Sequence, residues 1–158
     1  MNHTVHLRQL EAWLQEELGA RHALADMLEA QGQALLEGDI DRVEACTFAV
    51  QESAQAAASR GLRRSALMDA LAESFGVASG SLTVGSICER LGQEAERAGK
   101  LRAELLEMTR AELEQVKRNA ALARAQGQAT TEILKIVLGS DDGSDPTERS
   151  GGLVNARA

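Results

Sequence analysis

The spacing of apolar residues constrains the fold of this chain more than any other feature of its sequence. Between residues 4 and 37 the leucines recur in alternating steps of three and four, and residues 40–75 continue the same stepping. Such spacing places apolar side chains on one face of an α-helix. The first stripe comprises Leu7, Leu10, Leu14, Leu24, Leu28 and Leu35; the second comprises Ile40, Val43, Thr47, Val50, Ala54, Ala57, Met68, Leu71 and Phe75.

Composition agrees with an all-α fold. The chain contains one proline, no tyrosine and only 2% aromatic residues, whereas strands are usually rich in aromatic and β-branched residues. Its 158 residues are 44% hydrophobic, which is enough for one continuous core. Gly38 followed by Asp39 predicts the end of the first helix and the N-cap of the second.

The rest of the chain divides at glycines. Residues 76–81 (GVASGS) form the predicted loop, and Ser86 with Glu89 forms a possible capping box for a short third helix. Gly92 and Gly99 bracket a predicted break, after which a fourth helix runs from about Lys100 to Leu138. We therefore predict an elongated antiparallel helical bundle or coiled coil of three long helices plus one short helix, spanning residues 1–139. Residues 140–158 are rich in Gly, Ser and Asp and are predicted to be a disordered tail.

Charge and hydropathy limit the partners. The net charge is −7, and without a basic block or aromatic platforms the sequence predicts no nucleic-acid binding. The apolar clusters are too short to cross a bilayer and the start lacks a signal core, which predicts a cytoplasmic protein without membrane insertion. Cys46 and Cys88 lack CxxC spacing and are expected to be free thiols.

No pattern in the sequence predicts chemistry. His3 and His6 have a spacing that suits a metal on one helix face, but no cysteine or carboxylate cluster accompanies them. Neither a nucleophile elbow nor a glycine-rich phosphate loop is present. The glutamates have the spacing of solvated helix faces. We expect no enzymatic activity, no catalytic or metal-binding residues and no cofactor.

Polar residues within the apolar stripes and a basic cluster are expected to pair between helices. Arg21 and Gln31 interrupt the first stripe and should snorkel or pair across it. A second group, Arg60, Arg63 and Arg64, is interpreted as pairing with acidic residues of a neighbouring helix.

The last helix allows two interpretations. In the first, Asn119 sets the register within a core stripe that consists of Leu113, Val116, Ala120, Ala123, Leu134 and Val137. In the second, an apolar end made of Ile133, Leu134, Ile136, Val137 and Leu138 stays uncovered and receives an amphipathic helix of another protein. Periodicity alone favours the first interpretation, because short apolar runs are more often core.

Several stretches of the chain resemble the FlgN family of flagellar export chaperones, which are small, acidic, all-helical cytoplasmic proteins. The resemblance covers about residues 7–139. It is carried by LEAWLQEELGARHALADMLEAQGQALLEGD, by the arginine pair after Leu62, by the glycine-containing loop followed by SL, and by LRAELLEMTRAELEQVKRNAALARAQGQATTEILKIVLG.

The resemblance implies binding of the hook-filament junction proteins FlgK and FlgL, at their helical C-terminal segments, and their delivery to the flagellar type III export apparatus. Carried onto this sequence, the client-binding residues would lie on the final helix: Asn119, Leu122, Ile133, Leu134, Ile136 and Val137. The alternative is a coiled-coil structural or adaptor protein that self-associates, for example as a homodimer, through the same apolar end.

Overall fold

The computed structural model describes residues 3–138. All regular elements in this range are helical: α1 (His3–Glu37), α2 (Ile40–Phe75), α3 (Val84–Leu91), a 3₁₀ helix (Gly92–Ala95) and α4 (Glu96–Leu138). The prediction of an all-α helical bundle with three long helices and one short helix is confirmed. The predicted disordered tail, residues 140–158, lies outside the described residues.

Contacts divide the chain into two units, residues 1–122 and residues 123–158. The first unit contains α1, α2, α3, the 3₁₀ helix and the first part of α4. The described part of the second unit is the end of α4, residues 123–138. The hydrophobic core and the buried ion pairs belong to the first unit, whereas the apolar end of α4 belongs to the second.

The turn between α1 and α2 has the predicted chemistry. Gly38 adopts a left-handed φ of 71°, which ends α1 without a Cβ penalty. The side chain of Asp39 then accepts a hydrogen bond from the backbone N–H of Arg42 at 3.1 Å and caps α2. As predicted, α2 spans Ile40–Phe75.

The prediction of a capping box at Ser86 and Glu89 is wrong, because Ser86 already lies in the first turn of α3. The N-cap is Thr83, whose Oγ1 accepts a hydrogen bond from the Ser86 backbone N–H at 3.0 Å. The Ser86 hydroxyl accepts one in return from the Thr83 backbone N–H at 2.9 Å. Leu82 and Val84 are both buried, so the residues on either side of Thr83 anchor the cap in the core.

The break before α4 comes earlier than the sequence predicts. Gly92 has a φ of 54° and begins the 3₁₀ helix, after which α4 starts at Glu96 rather than near Lys100. Gly99 lies inside α4, where a Cβ would stand 3.7 Å from the Cys88 sulfur, an ordinary contact distance. Only the first of the two glycines therefore marks the break.

The hydrophobic core of the first unit joins all four α-helices. Its largest fully buried side chains are Leu10 of α1, Leu71 of α2 and Ile87 of α3. Five of the six predicted α1 leucines are buried. In α2 only Leu71 and Ala72 are buried, and Ile40 is 67% exposed although its spacing placed it on the apolar stripe. The middle of α2 carries mainly alanine and serine, which have little side chain to bury.

A network of ion pairs also connects α1 to α2 and α4. Glu17 is buried and accepts hydrogen bonds from Arg21 Nε at 3.1 Å and from Arg60 Nε at 2.7 Å. Arg21 Nη1 reaches Glu112 of α4 at 2.7 Å. Burial alone would lower the pKa of Arg21, but hydrogen bonds and charge from Glu112, and then from Glu17, raise it. The predicted pairing of Arg21 across helices is confirmed.

The basic cluster of α2 follows its predicted role at two of three positions. Arg60 pairs with Glu17, and Arg63 pairs with Glu16 at 2.6 Å. Arg64 instead lies over the ring of Trp13, with its guanidinium carbon 6.0 Å from the ring centroid.

Candidate protein-binding site

Asn119, the polar residue at the centre of the opposing interpretations of α4, lies inside the bundle. Its side-chain amide donates to the backbone carbonyl of Leu28 at 2.7 Å and to the side-chain carbonyl of Gln31 at 2.9 Å. Its own carbonyl accepts from Gln115 at 2.9 Å. The residue is only 4% exposed. Asn119 therefore fixes the register of α4 against α1, as the core interpretation predicted for this residue.

Gly32 of α1 makes this arrangement possible. A Cβ at this position would stand 2.7 Å from Asn119 Oδ1 and 2.9 Å from Gln115 Nε2, closer than side-chain atoms normally approach. A side chain at residue 32 would thus occupy the space that the amide of Asn119 needs.

A pair of glycine substitutions in α1 tests this contact. Gly19→Ala should raise the free energy of unfolding by about 0.5–1 kcal/mol, because alanine favours helix and nothing lies within 4 Å of the new Cβ. Gly32→Ala gains the same propensity, yet it displaces a buried, hydrogen-bonded amide at a cost of about 1–3 kcal/mol. We expect a net loss of about 1 kcal/mol for Gly32→Ala in urea unfolding. Equal stabilisation by both substitutions would contradict the contact.

In its first-unit part, α4 turns a partly polar face inward and an apolar stripe outward. The inward face contains Leu101, Leu105, Met108, Glu112, Gln115 and Asn119, which are all buried or half-buried. Leu113 and Val116 are 54% and 46% exposed. The interpretation that placed these two residues in a core stripe is wrong, because Glu112 and Asn119 take the inward positions through their bonds to α1.

The sequence does contain a signal for this rotation. Extending the steps of three and four forward from Leu101 passes through Leu105 and Met108 and then reaches Glu112 and Asn119. Hydrophobicity alone favours the neighbouring stripe, which contains Leu113 and Val116.

The apolar end of α4 is exposed. Within the second unit, Ile133, Leu134, Ile136, Val137 and Leu138 have exposed fractions of 60%, 52%, 80%, 66% and 74%. No residue among 123–138 is buried. Of the other two predicted client-binding residues, Leu122 is half-buried and Asn119 is buried in the first unit. The structure thus groups four of the six predicted residues on one exposed segment and separates Asn119 from them.

Five aliphatic residues among six consecutive positions of a helix, each more than half exposed, are unusual for a folded surface. A facing helix from another protein could cover them and remove their apolar area from water. Charged groups are sparse on this segment, which carries Glu132 and Lys135. The arrangement suits helix binding through apolar contacts rather than through ion pairs.

Comparison with known proteins agrees with these features. A protein-family model described as FlgN protein matches residues 1–147. The chain belongs to the FlgN family. FlgN proteins are flagellar export chaperones, so family membership implies this role, and the family is not known for enzymatic activity. No curated protein and no solved structure matches the chain.

Metal or thiol chemistry in this FlgN-family protein would depend on its histidines, cysteines and carboxylates. Among residues 3–138, no group of His, Cys, Asp and Glu is placed to hold a metal ion. Both cysteines are free thiols, and burial raises the pKa of Cys88, which disfavours the reactive thiolate. His3 stacks on Phe75 and lies 3.6 Å from Glu94. In the same range, no helix is long and apolar enough to span a bilayer.

Proposed function

We propose that this FlgN-family protein is a cytoplasmic chaperone for the hook-filament junction proteins FlgK and FlgL. It binds their helical C-terminal segments before secretion and delivers them to the flagellar type III export apparatus. The observation that carries this proposal is the exposed apolar end of α4 in a chain that belongs to a chaperone family.

The proposed client site on the second unit consists of Ile133, Leu134, Ile136 and Val137, and Leu122 of the first unit is a further predicted client-binding residue. These side chains supply apolar area, which is the main source of affinity when an amphipathic helix docks on another helix. Asn119 contributes indirectly, because it holds α4 in register against α1 within the first unit. A client helix that buries this segment would also be kept from associating with other copies of itself.

Purified components test the client. The full chain is mixed with the C-terminal helical segment of FlgK, with that of FlgL, and with a scrambled peptide of identical composition. We expect a complex of defined mass with the native segments by size exclusion with light scattering, and none with the scrambled peptide. Failure to bind either native segment would exclude the proposed clients.

The same measurement separates the chaperone from a self-associating adaptor protein. A client-free monomer supports the chaperone, since its apolar end is then available to a client. A stable oligomer that persists on dilution and excludes both segments would favour the adaptor, with the apolar end buried between copies.

A further inference from the structure

The first unit contains a groove that the proposed client site does not use. It encloses about 560 Å³. Residues of α1, α2, the start of α3 and α4 line it. They include Trp13, Ala57, Gly61, Arg64, Arg102 and Leu106.

Small side chains on α2 leave part of this space open. Of the three α2 residues that line the groove, Ala57 and Gly61 contribute little side-chain volume, and Arg64 contributes an exposed side chain. Gly85 of α3 lies beside the guanidinium of Arg102, where a Cβ would make an ordinary contact at 3.5 Å.

The groove combines apolar contact surface with positive charge. Trp13, Leu14, Val84, Leu105 and Leu106 line its interior. Arg64 and Arg102 lie at its surface, and among the described residues neither pairs with a carboxylate. Arg21, which also lines the groove, is already neutralised by Glu17 and Glu112. The free charges are therefore two guanidinium groups, although the protein as a whole has a net charge of −7.

Exposed apolar residues of α4 extend this surface beyond the groove. Leu106 lines the groove and is 44% exposed, and Leu113 and Val116 follow about two and about three turns further along the first-unit part of α4. Arg102 lies on the same side of the helix as these residues by the helical repeat of 3.6 residues. A ligand that follows α4 would contact Arg102 first and the aliphatic residues after it.

We propose that this groove binds an acidic amphipathic helix of a partner protein. The apolar side chains of the partner helix contact Trp13 and Leu106, and the carboxylates of the helix pair with Arg64 and Arg102. A helix suits the groove better than an extended strand, because helical walls have no free row of backbone donors and acceptors to pair with a strand. This site lies at residues 13–109 and is separate from the apolar end of α4.

Trp13 provides a direct readout, because it is the only tryptophan of the chain and tyrosine is absent. The probe is a synthetic helix of about 18 residues, or five turns, with leucines spaced three and four apart, flanking glutamates and no tryptophan. A second peptide has lysine in place of every glutamate. We expect only the acidic peptide to change the Trp13 emission of the full-length protein in a saturable way. Equal binding of the two peptides, or no binding of the acidic one, would overturn the proposal.

Charge reversal identifies the contacts. The double variant Arg64→Glu/Arg102→Glu should lower the affinity for the acidic peptide at least about tenfold, because two charge-assisted contacts become repulsive. The matched control, Arg8→Glu/Arg97→Glu, changes the net charge equally at two exposed arginines outside the groove and should retain the wild-type affinity. If both double variants bind the acidic peptide equally weakly, the loss is caused by overall charge, and the proposed groove site is wrong.

A filling variant tests the cavity without changing the charge. Ala57→Leu places an isobutyl group in the groove and should abolish peptide binding while the helical circular dichroism is retained. Ile133→Ser, at the proposed client site, should leave the Trp13 response unchanged, which distinguishes the two sites. If the wild-type protein self-associates and Ala57→Leu abolishes this self-association, the groove binds a second copy of the chain. That result would overturn the acidic-partner proposal.

Discussion

Replacing Ile133, Leu134, Ile136 and Val137 together with serine should abolish capture of the FlgK and FlgL C-terminal segments. Full burial of one such aliphatic side chain is worth about 1.5–3 kcal/mol. Even if a client covers only half of each, the four changes remove about 3–6 kcal/mol of binding free energy. The dissociation constant should therefore rise at least about 100-fold, as measured by calorimetry.

The first unit should not be affected by these four changes. All four side chains are exposed and belong to the second unit, so no core contact of the first unit is lost. Serine has about the same helix propensity as isoleucine and valine and only a slightly lower one than leucine. Urea unfolding of the bundle should keep its midpoint.

A matched control carries the same number of apolar-to-serine changes on the first unit. It replaces the exposed residues Leu36, Ile40, Phe48 and Leu62, whose exposed fractions of 62–76% resemble those of the client site. This variant should capture clients with wild-type affinity. Capture by the α4 variant, or loss of capture in the control, would contradict the proposed location of the client site.

Glu17→Ala should lower the free energy of unfolding more than the replacement of any other single charged residue in the first unit. Glu17 is 8% exposed and accepts hydrogen bonds from both Arg21 and Arg60. Its removal leaves Arg60, whose side chain is 13% exposed, as a nearly buried guanidinium without a carboxylate. Breaking a buried pair by removing one partner costs about 3–5 kcal/mol, a large fraction of the stability of a typical domain.

We expect a loss of about 3 kcal/mol, near the lower limit, because Arg21 keeps Glu112 and is partly exposed to water. The measurement is urea unfolding followed by helical circular dichroism. Glu16→Ala is the matched control, since the adjacent Glu16 pairs with Arg63 at the exposed surface, where such pairs contribute little. If the two variants unfold at the same urea concentration, the buried network does not stabilise the first unit.

Local signals in the sequence predicted most of the fold. The end of α1 and the whole span of α2 follow from Gly38, Asp39 and the spacing of apolar residues, because turn and capping chemistry involves neighbours in sequence. The N-cap of α3 lies three residues before the predicted one. Thr83 and Ser86 both suit an N-cap, and only the burial of Leu82 and Val84 distinguishes them.

Of the candidate sites, the apolar end of α4 could be predicted from sequence, whereas the groove could not. Ile133 and its neighbours are adjacent in the chain, so their concentration is visible directly. The groove brings together residues from Trp13 to Thr109 of four helices, and the small side chains of Ala57 and Gly61 leave part of it open. No pattern within one segment reports which positions of separate helices face each other.

The sequence by itself determined that this chain forms long helices, where most of them begin and end, and which residues are apolar enough to bind other helices. The sequence contains two competing sets of three- and four-residue steps along α4, and the tertiary structure decided which of the two is turned inward. Periodicity ranks faces by hydrophobicity, but the buried face here is selected by specific partners on α1. The Leu28 carbonyl and the space above Gly32 hold Asn119, and Arg21 holds Glu112. These polar bonds fix the orientation that leaves Leu113 and Val116 exposed.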